Sequence, residues 1–436
     1  MTSVIIMFIA MSVVMLFLYA MLFIKEETNK TYLKFIFITL PFIGIDLMPS
    51  FISTTLFVFI TFVFLVFFYK RVQIKHSGSF SYYYLFLFLI SSIVVGLLLS
   101  PDLSKDTITD SIQFLAVFFF AKVLIDQINQ DPDFRMSILH CMKFTLIFSL
   151  LFLTFQFILG PSFSFAKSQN INVAGGMSIR YPSFFQDPQK YAQYLSASSL
   201  LMLLLPGKFK GNTSRLGLLL CGLSMIALLF TGGRAALGGW LIGLLVIVVL
   251  GNAQYRAAVI SVTVIVSLFI YSYSEVIPIF KRDDLSDAYA FRYAIWQDAY
   301  AIFLDHPFFG IGLGNYANYV SIHNPDQYWI SDNEITLYDH PESGYLKILT
   351  EFGMIGFLAA MFFIVKPICV GLTNYFKTKD LSLVILVSSL LTWMIGFYTV
   401  YSLGDIRIKI LIISIVCMLI AASKDKNQII NTPAIV

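Results

Sequence analysis

The chain has 436 residues, 58% of them hydrophobic and 12% charged, with a formal net charge of +4 and a mean hydropathy of +0.81. Soluble globular domains carry about 25% charged residues, so this composition excludes that class and points to an integral membrane protein. The net charge is small, and no nucleic-acid partner is expected.

Apolar runs long enough to cross a bilayer of about 30 Å, which takes about 20 helical residues, recur from end to end. A β-barrel would need short alternating segments, and LFVFITFVFLVFFY (56–69) does not alternate. Backbone groups in lipid must be satisfied within each segment, so the expected fold is all-α, a polytopic transmembrane bundle forming one membrane domain over 1–436. In chain order the predicted spans are 3–24, 32–48, 51–69, 81–100, 108–126, 137–160, 189–206, 214–231, 234–251, 256–274, 346–371, 380–402 and 406–422, thirteen in all. Lys34, Pro41 and Asp46 interrupt the second, so the count is twelve if it fails. The first span lacks a basic leader region and a small-residue cleavage site, and reads as a retained helix. Cys141, Cys221, Cys369 and Cys417 lie in or beside predicted helices without CxxC spacing and read as packing residues. The tail from Ser423 reads as loose.

Lysines and arginines set the orientation. Lys25, Lys30 and Lys34, then Lys70, Arg71 and Lys75, Lys208, Lys210 and Arg215, Lys366, Lys377 and Lys379, and finally Lys424 and Lys426 fall in alternate loops, which the bias assigns to the cytoplasm. The acidic turn with Asp102, Asp106 and Asp110 then faces outward, as do the connections 161–188 and 275–339. The second is far longer than ordinary loops, which marks it as functional. Arg407 and Lys409 start the last helix on the outer side against the bias, either as a functional sign or because they snorkel to the interface.

The outer face collects Arg180 in SIRYPSFFQDPQKYAQYL, Arg234 in FTGGRAALGGWL and Arg292 in FRYAIWQDAYAIFLDHP. Guanidinium keeps its charge and is costly to desolvate, so several arginines at one interface imply an anion, and their planar forks suit phosphate oxygens. Gly232 and Gly233 read as a tight turn before a helix whose free N–H groups, with Arg234, make an anion site; snorkelling is the alternative. Around Arg292 an amphipathic helix is expected, with Phe291, Ile295, Ala299 and Ile302 as its apolar stripe. In DHPFFGIGLGNY the glycines Gly310, Gly312 and Gly314 only superficially resemble a nucleotide loop, since no strand precedes them and no GK follows. In DHPESGYLKILTEFGMIGF, Glu342, Leu346, Leu349, Gly353 and Gly356 fall on one face of a helix beginning near Glu342. That carboxylate is either a dipole-favouring cap or a general base.

Taken in order, these four motifs over roughly residues 180–357 resemble the O-antigen ligase and polymerase superfamily of bacterial membrane enzymes. The resemblance implies a GT-C-like, metal-independent, inverting glycosyltransferase without a cofactor. It would act at the periplasmic face of the inner membrane on undecaprenyl-diphosphate-linked glycans, as both donor and acceptor. By the same resemblance, Arg234 and Arg292, with Arg180, hold the diphosphate. Ligases of the family carry His, then Asn, Ser or Gln, nine residues and GxxG. Here Gly353 and Gly356 supply the GxxG, Ser343 takes the second position and Glu342 stands where the histidine would, with His340 two residues earlier. This departure favours a Wzy-type polymerase making O-antigen or capsular polysaccharide, with Glu342, or else His340, taking the acceptor proton. Tyr328, Trp329 and Tyr345 are candidate sugar contacts, and a chain-length regulator and a flippase are candidate partners. The rival readings are a ligase that transfers glycan to lipid A core and a lipid-linked oligosaccharide flippase. A transporter should place ionisable groups near the bilayer midplane and show paired repeats, which this sequence does not display.

Overall fold

The computed structural model describes residues 2–24, 27–44, 55–68, 80–100, 105–160, 163, 179–205, 215–275, 277–278, 285–323, 328–331, 334–337 and 340–431. Among these, the helices in chain order are α1 (Thr2–Phe23), α2 (Thr28–Ile38), α3 (Leu56–Phe68), α4 (Phe80–Leu99), α5 (Lys105–Gln130), α6 (Phe134–Leu159), α7 (Pro188–Leu201), α8 (Arg215–Thr231), α9 (Arg234–Leu250) and α10 (Ala253–Tyr273). Then follow α11 (Leu285–Asp305), α12 (Tyr316–His323), a short antiparallel hairpin of β1 (Tyr328–Ser331) and β2 (Glu334–Leu337), α13 (Gly344–Thr378), α14 (Leu381–Phe397) and α15 (Ile406–Asn431). The fold is that of an all-α polytopic membrane protein. Each predicted span has a helix, and the long connection adds α11, α12 and the hairpin.

Several boundaries shift, with α3 starting at Leu56 rather than 51, α13 running to Thr378 rather than 371 and α14 ending at Phe397 rather than 402, and two further differences concern the second span and the tail. The second span is 28–38 rather than 32–48, because Pro41 disfavours helix at the residue before it and Thr39 Oγ1 turns back onto the Phe35 carbonyl at 2.7 Å. Asp46 lies outside the described residues. The tail expected to be loose from Ser423 instead continues α15 to Asn431.

The helices Asp106–Gln130, Phe134–Leu159, Tyr255–Tyr273 and Gly344–Thr378 are long and apolar enough to cross a membrane, and shorter apolar helices surround them. Large apolar side chains such as Phe67, Leu98 and Ile158 are exposed, as lipid-facing groups should be. The interior is organised around α14, which packs against α7, α9, α13 and α15. Small residues let α9 approach closely: a Cβ on Gly239 would lie 2.5 Å from the Thr392 carbonyl oxygen. Both buried indoles of this core are paired, with Trp240 Nε1 donating to Ser199 Oγ at 2.9 Å and Trp393 Nε1 to Ser402 Oγ at 3.0 Å.

The feature that positions the site is a break in α13. Gly353 has φ 64° and ψ −171°, non-helical angles reached almost exclusively by glycine. The segment 306–315 after α11 enters this break and satisfies its backbone. Met354 N–H donates to the Pro307 carbonyl at 2.8 Å and Ile355 N–H to Phe308 at 3.2 Å; in return Ile311 N–H reaches Thr350 at 3.0 Å and Gly312 N–H reaches Glu351 at 2.9 Å. Irregular backbone is tolerated at such a place only when protein groups replace the missing helical bonds. Gly310, Gly312 and Gly314 all have positive φ and give the segment its tight path, which is the structural reason for their spacing.

Candidate active site

One end of the bundle gathers the α8–α9 turn, the start of α7, the end of α14 and the start of α13. A Cβ on Gly233 would lie 2.5 Å from Ala192 of α7, and Gln193 Nε2 donates to the Gly396 carbonyl at 2.9 Å. Gly344 lies against the Phe397 ring. On this end three of the sequence-predicted residues come together: Arg292 Nη2 is 3.5 Å from Glu342 Oε2, and His340 Nε2 is 3.4 Å from Glu342 Oε1. Arg292 comes from α11, whose stripe of Ile295, Ala299 and Ile302 is buried as its spacing predicts; the Phe291 side chain lies outside the described residues.

Glu342 does not head the helix as expected. Ser343 is the N-cap of α13, its hydroxyl facing Leu346 N–H at 3.5 Å, and Glu342 precedes it with φ 48°. With Gly353 non-helical as well, the single-face spacing from Glu342 to Gly356 is split at both ends. Left-handed angles cost a non-glycine residue about 1–3 kcal/mol. The ion pair is more than a quarter exposed on each side, and such pairs return about 0–1 kcal/mol. The ion pair therefore does not offset the cost of the Glu342 backbone conformation.

Arg180 and Arg234 share the neighbouring turn. Gly232 adopts φ 69°, Gly233 is the N-cap of α9, and Arg234 is the helix's first residue without a side-chain cap before it. Buried Arg180 lies over Gly232, its Nε donating to the Thr231 carbonyl at 2.8 Å. Tyr345 is half-buried, with its hydroxyl donating to the Met394 carbonyl at 2.8 Å and its ring edge-on to Phe397. Tyr328 and Trp329 form β1, and their side chains lie outside the described residues. Trp296 of α11 packs edge-on against Tyr398. Among the described residues no three His, Cys, Asp or Glu side chains gather as a metal site requires.

Arg407 and Lys409 do not snorkel. Arg407 grips Asp405 through Nε at 2.9 Å and through Nη2, donates from Nη1 to the Phe184 carbonyl at 2.8 Å, and covers the Phe185 ring at 4.2 Å. Burial pushes the Asp405 carboxyl up, but the Arg407 charge and hydrogen bonds outweigh it and hold it below its ordinary range. The sequence reading also missed the Lys347–Glu351 pair, 3.5 Å apart with Glu351 fully buried. An i, i+4 lysine and glutamate in an otherwise apolar helix was the available signal.

No curated protein matches the chain. The span 218–361 matches the family model described as O-antigen ligase. It runs from α8 to the middle of α13 and takes in Arg234, Arg292, His340 and Glu342, while Arg180 lies before it. That match covers about a third of the chain and makes the site-bearing segment similar to the O-antigen ligase and polymerase superfamily of membrane proteins.

Proposed function

We propose that the protein is a polysaccharide polymerase of the bacterial inner membrane, working at the periplasmic face. It transfers a growing glycan from undecaprenyl diphosphate to the terminal sugar of a second lipid-linked repeat unit. The observation that carries this reading is the carboxylate of Glu342, held between Arg292 and His340 at the position where ligases have histidine.

The acceptor hydroxyl attacks the anomeric carbon as the bond to the diphosphate breaks, and Glu342 takes the hydroxyl proton. Arg292 and Arg234, with Arg180 behind the same turn as Arg234, offset the negative charge that develops on the departing diphosphate, an effect worth about 10²–10³ in rate per donor. The half-buried face of Tyr345 and the β1 residues Tyr328 and Trp329 are the aromatic surface proposed for sugar rings. The lipid diphosphate is itself the activating group, so the step balances with undecaprenyl diphosphate as leaving group. A chain-length regulator and a flippase are the partners such a step implies.

Deletion of the gene in its native host, followed by complementation, tests this directly. A polymerase null leaves single repeat units on the surface lipid, and the wild-type gene restores long chains. Bare lipid A core in the null would instead identify a ligase, and units stranded inside would identify a flippase.

A further inference from the structure

We propose that the buried carboxylate of Glu351 is a positioning residue that holds the Arg292-bearing segment against the Glu342-bearing start of α13. The proposal rests on the reading of that pair as the reacting centre, although the clamp itself is visible without it. Arg292 sits on α11 and Glu342 just before α13, so their geometry depends on how the intervening chain is anchored. That anchor is the segment 306–315 lodged in the α13 break, and Glu351 lies two residues before the break.

Glu351 is 0% exposed. Its Oε1 faces the Tyr316 N–H at 3.4 Å, and Lys347 Nζ is 3.5 Å away. The carboxylate therefore closes the end of the inserted segment and caps the start of α12, just after the backbone pairs from Ile311 and Gly312 have closed its middle. Its Oε2 has no hydrogen-bond partner among the described residues. The groups facing this cluster from other elements are Asp110 of α5, Tyr401 of the α14–α15 connection and Lys409 of α15, which also line a neighbouring cavity of ≈ 90 Å³. Lys347 Nζ lies 4.7 Å over the Tyr401 ring. Two acids and two lysines thus balance in a largely apolar surrounding. A buried charge is costly unless compensated in this way, and here its carboxylate is spent on the segment that carries Arg292 into place.

The test uses the full-length protein in native membranes, with exposed Cys369 changed to serine and fully buried Ile311 changed to cysteine as a reporter. Labelling by a membrane-impermeant maleimide is slow while the segment stays in its slot. Adding Glu351→Ala should raise the labelling rate about tenfold, and Glu351→Gln, which keeps one acceptor oxygen, should fall between the two. In parallel, kcat for glycan transfer per folded protein should fall about tenfold in Glu351→Ala with donor KM little changed, and Glu351→Gln should recover part of it. Labelling at the parent rate in Glu351→Ala overturns the proposal; if that variant does not accumulate, parent-rate labelling in Glu351→Gln does so. Raised labelling in a protein whose Glu351 form shows no glycan transfer would leave the clamp standing and remove the functional reading instead.

Discussion

Glu342 holds a left-handed backbone angle that glycine would hold without strain. Glu342→Gly should therefore melt no lower than the wild type in detergent while losing glycan transfer; a lower melting temperature would mean that the carboxylate is there for stability. The neighbouring arginine carries a different expectation, because it meets a part-exposed carboxylate and, in the proposed reaction, a diphosphate. Arg292→Ala should cost about 10²–10³ in kcat with less than about 1 kcal/mol of stability, and Arg292→Lys should recover little, since an ammonium lacks the bidentate fork. Arg407 is the opposite case. Its side chain is 10% exposed and that of Asp405 8%, so Arg407→Ala strands a buried carboxylate and should destabilise by about 3–5 kcal/mol, measurable by chemical denaturation. The pH dependence follows from the same pair. A carboxyl held below its ordinary range in the folded state stabilises the fold above its unfolded pKa of about 3.9 and loses that contribution as pH falls below it. Asp405→Asn should therefore be less stable than the wild type at neutral pH, and its stability should fall less steeply as pH drops below about 3.9, checked by denaturation across pH.

At the scale of elements, the α13 break and its inserted segment are one unit: each supplies the hydrogen bonds the other lacks. A Cβ on Gly353 would collide with the Phe308 backbone, and alanine disfavours φ 64°. Gly353→Ala should consequently lower stability by about 1–3 kcal/mol from backbone strain alone and reduce transfer as well, because the segment it displaces leads to Arg292. Wild-type melting and turnover in that variant would show that the break is incidental. The sequence made the spans legible because apolar length alone sets them, and it made the buried stripe of α11 legible because helical spacing does. Gly353 and Gly310 stood out as glycines, but nothing local states that one breaks a helix so that the other can enter it. That pairing links residues more than forty positions apart through backbone atoms, which have no side-chain signature. Glu342 likewise looked like the first residue of a helix, since spacing cannot distinguish a helical residue from one placed just outside a serine cap. Arg407 was seen as an anomaly of topology, whereas its explanation lies in Asp405 and Phe185, the latter more than two hundred residues away.

At the scale of the whole molecule, the bundle is asymmetric in chemistry. Arg180, Arg234, Arg292 and the strained Glu342 occupy one end, whereas Arg135 and ion pairs such as Lys30–Asp131 at 2.8 Å lie at the other. In the proposed reaction, this end suits transfer between two lipid-anchored substrates that arrive from the same leaflet. The family match covers the α8–α9 turn, α11 and the start of α13, but not α7 or α14, which complete this end. The most direct measurement is elongation by the purified protein in lipid nanodiscs supplied with undecaprenyl-diphosphate-linked repeat units as both donor and acceptor. The account predicts a ladder of lipid-linked oligomers from the wild type and unextended single units from Glu342→Gln, whereas a full ladder from Glu342→Gln would contradict it.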